Sequence, residues 1–125
     1  MFVGLDVHKK FTQVAIVDND GVIQKQERIE NQPRLIEAFS QGLSDTEIVL
    51  ESLSTWYWLY EILSKKHKVT LSNPVKTKAI ASVKLKTAKV DALILANLLR
   101  GGFIAECYVP SRGIMTLREL EKKLF

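Results

Sequence analysis

A single cysteine, no long apolar run and no acidic residue between Glu61 and Asp91 set the first bounds on this 125-residue chain. Cys107 has no partner for an intrachain disulfide and cannot anchor a cysteine zinc site. It is expected to be a buried thiol that packs as a small hydrophobe. No apolar stretch approaches the roughly 20 residues that a membrane span needs. Phe2-Val3-Gly4-Leu5 meets Asp6 before a signal-peptide core can form, so a cytoplasmic location is expected. No glycine-rich phosphate loop follows the first apolar run, and repeats and low-complexity segments are absent. What remains, 46% hydrophobic and 26% charged residues, is ordinary for one small globular domain with a single core.

The net charge of +4 is unevenly spread. Residues 1–61 hold ten acids and five bases, whereas residues 62–125 hold four acids and thirteen bases. The acid-free stretch contains Lys65, Lys66, Lys68, Lys76, Lys78, Lys84, Lys86 and Lys89. One reading is a solvated helix face. The other is a positive field suited to phosphate backbones, and the missing acids favour nucleic-acid contact.

The pattern predicts a buried strand at residues 2–8, with Gly4 marking a close backbone approach. A β-rich run at 12–18 leads into the hairpin signal Asp18-Asn19-Asp20-Gly21, and residues 22–29 return as a third strand. Asn31-Gln32-Pro33 starts a helix with Leu35, Ile36 and Phe39 inward and Gly42 at its end. Residues 46–50 form a short β-branched strand running into Glu51. A helix capped near Ser52 or Ser54 carries Trp56, Leu59, Tyr60, Ile62 and Leu63 and ends in Lys65-Lys66-His67-Lys68. Residues 69–71 form a small strand, Ser72-Asn73-Pro74 opens a helix to about Ser82, and another helix is expected from near Thr87 to Gly101-Gly102. An extended piece at 105–109 precedes Pro110, and residues 114–125 begin a charged amphipathic helix. A hairpin meander followed by βα units implies a mixed sheet covered by helices. A tight hairpin cannot join neighbouring parallel strands, so an all-parallel doubly wound sheet is disfavoured.

Three carboxylates stand out. Asp6 is an acid inside an apolar strand, where ionisation is costly unless it is paired or metal-bound. Alternatively it sits at a strand end and faces solvent or caps a turn. Glu51 directly follows Ile48-Val49-Leu50, and Asp91 fronts a very apolar helix. Either could simply be an acid favoured by a helix dipole. If the first and fourth strands are neighbours, Asp6 and Glu51 emerge at one sheet edge, and a helix crossing that edge adds Asp91. Clustered carboxylates without histidine or cysteine suit hard cations, Mg²⁺ or Mn²⁺, that act on phosphodiesters. Asp18 and Asp20 are explained by turn chemistry. His8, two residues after Asp6, could stand near the site; His67 shows no ligand spacing.

Val3-Gly4-Leu5-Asp6-Val7-His8-Lys9-Lys10, Glu51-Ser52 leading into Trp56-Tyr57-Trp58-Leu59, Asn73-Pro74 and Lys86-Thr87-Ala88-Lys89-Val90-Asp91-Ala92 occur in an ordered set. With Leu117-Arg118-Glu119-Leu120, they resemble the DEDD-type insertion-sequence transposases, a group that includes the pilin-gene-inverting recombinases. The resemblance implies an RNase H-like (RuvC-like) α/β fold, similar to Holliday-junction resolvases: a three-stranded antiparallel meander plus parallel strands, flanked by helices. It implies an Asp, Glu, Asp, Asp tetrad, the last two in a Lys-Thr-Asp-x-x-Asp-Ala motif. Carried over, these are Asp6, Glu51 and Asp91, while the third position falls on Ala88, whose methyl cannot ligate a cation. An i, i+3 spacing would put positions 88 and 91 on one helical face. Weakened Mg²⁺ or Mn²⁺ binding and impaired catalysis are therefore expected. After Glu51 the family often has Thr-Gly, where this chain has Leu53-Ser54.

The resemblance further implies DNA as partner, a structured guide RNA, and a second domain carrying a serine nucleophile. Ser54 and Ser111 have no motif that would make either a substitute. The expected division is a DEDD domain at 1–110 and the start of a helical linker at 111–125, cut before that second domain. Leu117, Leu120 and Leu124 would allow pairing with another copy. The competing reading is a module without chemistry, holding DNA or RNA through Lys65, Lys66, Lys76, Lys78, Lys84, Lys86 and Lys89. A third is an assembly domain with Trp56, Tyr57, Trp58 and Tyr60 at an interface rather than in the core.

Overall fold

Alternation of side chains decides the centre of the molecule. In β1 (Phe2–Val7), Val3, Leu5 and Val7 are buried on one face, while Gly4 and Asp6 lie on the other. The computed structural model describes residues 1–52, 57–87 and 89–107. Along them follow β2 (Phe11–Val17), β3 (Ile23–Glu30), α1 (Pro33–Gln41), β4 (Glu47–Ser52), α2 (Tyr57–Ser64), β5 (Lys68–Leu71), α3 (Pro74–Lys84) and α4 (Ala92–Gly101). Expectations on Leu53, Ser54 and Trp56, on Ala88, and on residues 108–125 lie outside the described residues. These include Pro110, Ser111 and the leucines of the last helix.

The five strands form one sheet in the order β3-β2-β1-β4-β5. β1, β2 and β3 pair antiparallel as a meander, and β4 and β5 add parallel to β1. The turn between β2 and β3 is closed by Asp18, whose carboxylate accepts from the backbone N–H groups of Asp20 and Val22 at 2.9 Å each. The mixed sheet, with four helices among the described residues, is the RNase H-like arrangement that the resemblance implied.

One face of the sheet buries Val3, Leu5, Val14, Ile16, Ile48, Leu50 and Leu71 against Ile36 and Leu43 around α1 and Leu59 and Leu63 of α2. The other face is covered by α4, whose Ala92, Leu95, Ala96 and Leu98 pack on β1, β2 and β4. Gly102, at φ 78°, ends α4 in the left-handed region. Of the aromatic residues after Glu51, Trp58 and Tyr60 are partly buried against the core. Cys107 is half-buried rather than fully buried; its N–H donates to the Leu71 carbonyl at 2.8 Å.

β4 extends through Glu51 to Ser52 and α3 runs to Lys84, each about two residues beyond expectation, and a larger difference lies at α4. The last described helix starts at Ala92, not near Thr87. Local turn chemistry wins there: Thr87 Oγ1 accepts from the Lys89 N–H at 3.3 Å, and Lys86 adopts φ 53°. Asp91 is the N-cap, its carboxylate accepting from the Ile94 N–H at 2.9 Å. Thr87, Lys89 and Val90 are not helical, and Asp91 itself stands outside the helix as its cap.

Candidate active site at the carboxylate edge of the sheet

β1 and β4 are parallel neighbours, and their register pairs Asp6 with Glu51 directly. Parallel pairing in register puts both side chains on the same face at the same end of the sheet. It is the face that α4 covers, and α4 meets the sheet at Gly4, two residues before Asp6. A Cβ on Gly4 would collide with the Ala92 carbonyl oxygen and stand 2.7 Å from the Ala96 nitrogen. Glycine is therefore what lets the helix start descend onto β1 and bring Asp91 to the carboxylate edge. Asp6 and Asp91 line one cleft of about 440 Å³, together with His8, Phe11, Arg28 and Lys89.

The environments of the three acids differ. The Asp6 side chain is 28% exposed and has the His8 Nε2 3.1 Å from its Oδ2. Glu51 is half-buried, and burial pushes its carboxyl above the usual value of 4.5. The Asp6 charge adds to that rise, while a hydrogen bond from Ser72 opposes it. Ser72 Oγ donates to Glu51 Oε2 at 3.3 Å and lies 2.7 Å from Thr77 Oγ1. Asp91 holds its place through the cap on α4. Among the described residues, no three His, Cys, Asp or Glu side chains are grouped closely enough to enclose an ion.

The lysines are carried by several elements. Lys68 pairs in register with Glu47 at the start of β4, and their side chains stand 3.4 Å apart. Glu51 lies four positions along β4 from Glu47, roughly 13 Å of strand. Lys65 and Lys66 immediately precede that end of β5, and Lys66 Nζ donates to the Gln41 carbonyl at 3.1 Å. His67 Nε2 is likewise 2.8 Å from the Ser40 carbonyl oxygen, a structural contact. Lys76, Lys78, Lys84 and Lys86 are exposed along α3 and the loop after it, with Lys84 over the Phe103 ring at 5.1 Å. Lys89 is the lysine of this group that lines the carboxylate cleft.

Ser72, Thr77, Phe11 and Arg28 belong to the site's surroundings and were not singled out from the sequence. Ser72 had a legible signal, because extending the β4–β5 register from Leu50–Leu71 sets it beside Glu51. Phe11 and Arg28 had none short of the β2–β3 register.

The chain is similar in structure to Thermus thermophilus RuvC, at 13% identity and a TM-score of 0.47, over 88% of this chain and 83% of that one. No curated protein matches it. A family profile described as a DEDD transposase matches residues 3–123, nearly the whole sequence. The chain belongs to the DEDD transposase family.

Proposed function

We propose that this is the metal-dependent, phosphodiester-acting domain of a DNA transposase, with Asp6 and Glu51 as the core of a site for Mg²⁺ or Mn²⁺ and Asp91 as its third carboxylate. The Asp6–Glu51 register pair carries the reading. Two carboxylates on one face, one of them half-buried with a raised proton affinity, are costly to keep ionised without a counter-charge. The donor set is all oxygen, which fits a hard cation. With two adjacent carboxylates and no closed cage among the described residues, the fit is to an open site. Mg²⁺ is commonly held in that way, by one or two carboxylates with water and substrate phosphates completing its shell.

A cation bound there would polarise the phosphodiester and lower the pKa of an attacking water. The protein's own residues orient the ligands. The Ser72 hydroxyl fixes Glu51, the Ile94 N–H fixes one oxygen of Asp91, and His8 flanks Asp6.

Ala88 stands where the family's third aspartate is expected, so metal binding should be weak and strand cleavage impaired. The test is Ala88→Asp, assayed for nicking of branched DNA with Mg²⁺ or Mn²⁺. Tighter metal binding and metal-dependent nicking are expected. Unchanged metal affinity refutes the role of this position, and failure of the variant to nick counts against the enzymatic reading.

The second reading is a nucleic-acid-binding module without chemistry. It draws on Lys76, Lys78, Lys84, Lys86 and Lys89, which are exposed and make no ion pair among the described residues. Binding that survives joint replacement of Asp6, Glu51 and Asp91 but falls steeply with salt would favour it. DNA as partner, a guide RNA, pairing of copies through residues 111–125, a domain boundary near 110 and a cytoplasmic location are proposals that accompany the family. No helix among the described residues is long and apolar enough to cross a membrane.

A further inference from the structure

Arg28 is an exposed cation in β3 with acids on both sides in sequence, yet among the described residues it pairs with neither. Glu27 is taken by Lys25 at 2.7 Å, and Glu30 accepts from Gln32 at 2.9 Å. The Arg28 guanidinium lies instead over the Phe11 ring, 3.9 Å from its centroid. Phe11 also stacks on the His8 imidazole, with ring centroids 4.7 Å apart and planes at 27°. An aromatic support of this kind removes rotamer freedom from a long side chain and fixes where its charge points.

Its position relative to the carboxylates follows from register. Asp6 pairs with Gln13, and Gln13 pairs with Arg28, so the three form one row across β1, β2 and β3. Two strand spacings separate the backbone of Arg28 from that of Asp6, about 10 Å. Arg28 lines the same cleft as Asp6 and Asp91, and so does Lys89. Two cations and two carboxylates thus share a cleft without an ion pair between them among the described residues. That separation suits a polyanion whose reacting phosphate lies at the carboxylates while another phosphate meets the cations.

We propose that Arg28, held by Phe11 and assisted by Lys89, is a phosphate-binding subsite for the strand whose phosphodiester lies at Asp6 and Glu51. The ligand is a phosphodiester chain, DNA or RNA. A planar guanidinium grips two phosphate oxygens at once, which a lysine cannot do. Phe11 is a positioning residue that acts through Arg28. The inference rests on the reading that Asp6 and Glu51 face a phosphodiester.

The test is equilibrium binding of a fluorescent single-stranded DNA and of the RNA of the same sequence to the full chain, in EDTA, across a salt series. Arg28→Ala is expected to weaken binding and to reduce the slope of log affinity against log salt by about 0.7, one phosphate contact on a single strand. Arg28→Lys should keep the slope but bind more weakly. Phe11→Leu should weaken binding and Phe11→Tyr restore it, which a merely structural role for the ring would not require. Lys25→Ala, on the opposite face of β3, should change neither quantity. A loss confined to one probe supports the subsite and identifies the strand. An Arg28→Ala protein that binds both probes with the parent slope overturns the proposal, as does a parent chain that binds neither. Because no divalent cation is present, an altered Arg28 slope alongside absent metal binding would fault the metal reading alone. Metal binding with an unaltered slope would fault this subsite alone.

Discussion

The carbonyl of Ala92 rests against Gly4, closely enough that any side chain on Gly4 would collide with it. This backbone contact sets the start of α4 on β1 and brings Asp91, the N-cap, into the cleft that Asp6 lines. The geometry of the site is therefore set at a residue with no chemistry of its own.

Gly4→Ala should lift the start of α4. Overpacking of this kind costs about 1–3 kcal/mol, and the upper end is expected because the clash is with backbone atoms that cannot rotate away. Denaturant unfolding measures the loss. The same variant should lose any stabilisation by Mn²⁺, because Asp91 is displaced from Asp6. A Gly4→Ala protein as stable as the parent would contradict the close approach.

Glu51 gives a pH dependence whose sign is fixed by its raised carboxyl. Below the usual value of 4.5 the group is protonated in both the folded and unfolded chain and has little effect. As pH rises from there through the raised folded value, the unfolded chain ionises first, binds fewer protons than the folded one, and stability falls. Glu51→Gln should therefore raise the melting temperature at neutral pH and remove this part of the decline, while abolishing the response to metal. Thermal melts across pH 4–8 in EDTA would show it. A Gln variant that is less stable than the parent at pH 7, with the same pH profile, would contradict the assigned cost.

Asp91 has two roles that substitutions can separate. Asp91→Ala removes the cap and should cost about 0.5–2 kcal/mol. Asp91→Asn retains a side-chain oxygen for the Ile94 N–H and should leave stability nearly intact. Both should weaken metal binding. If Asp91→Asn binds Mn²⁺ as the parent does, Asp91 is a cap and nothing more.

Much of this arrangement was legible in the sequence, for identifiable reasons. Two-residue alternation in Val3-Gly4-Leu5-Asp6-Val7 and the Asp18–Gly21 turn specify the meander, and an acid ending the apolar run at Glu51 marks the same sheet edge. The start of α4 was not legible. Thr87, Lys89 and Val90 are residues a helix tolerates, and the competing bonds of Thr87 and Asp91 set its start at Ala92. Lys65, Lys66 and Lys68 are close in sequence to Lys76, but the length of β5, the edge strand beside β4, lies between them. Arg28 and Phe11 lie seventeen positions apart and meet only through the β2–β3 register, which composition does not reveal.

The most direct test of the account is a crystal of this protein soaked in Mn²⁺, with the ion located by anomalous scattering. A peak bonded to an oxygen of Asp6 and an oxygen of Glu51 is expected, at about 2.0–2.3 Å, with Asp91 facing it. A Mn²⁺ ion held elsewhere, or no ion while Glu51 keeps its bond to Ser72 and Asp6 stays beside His8, would contradict it.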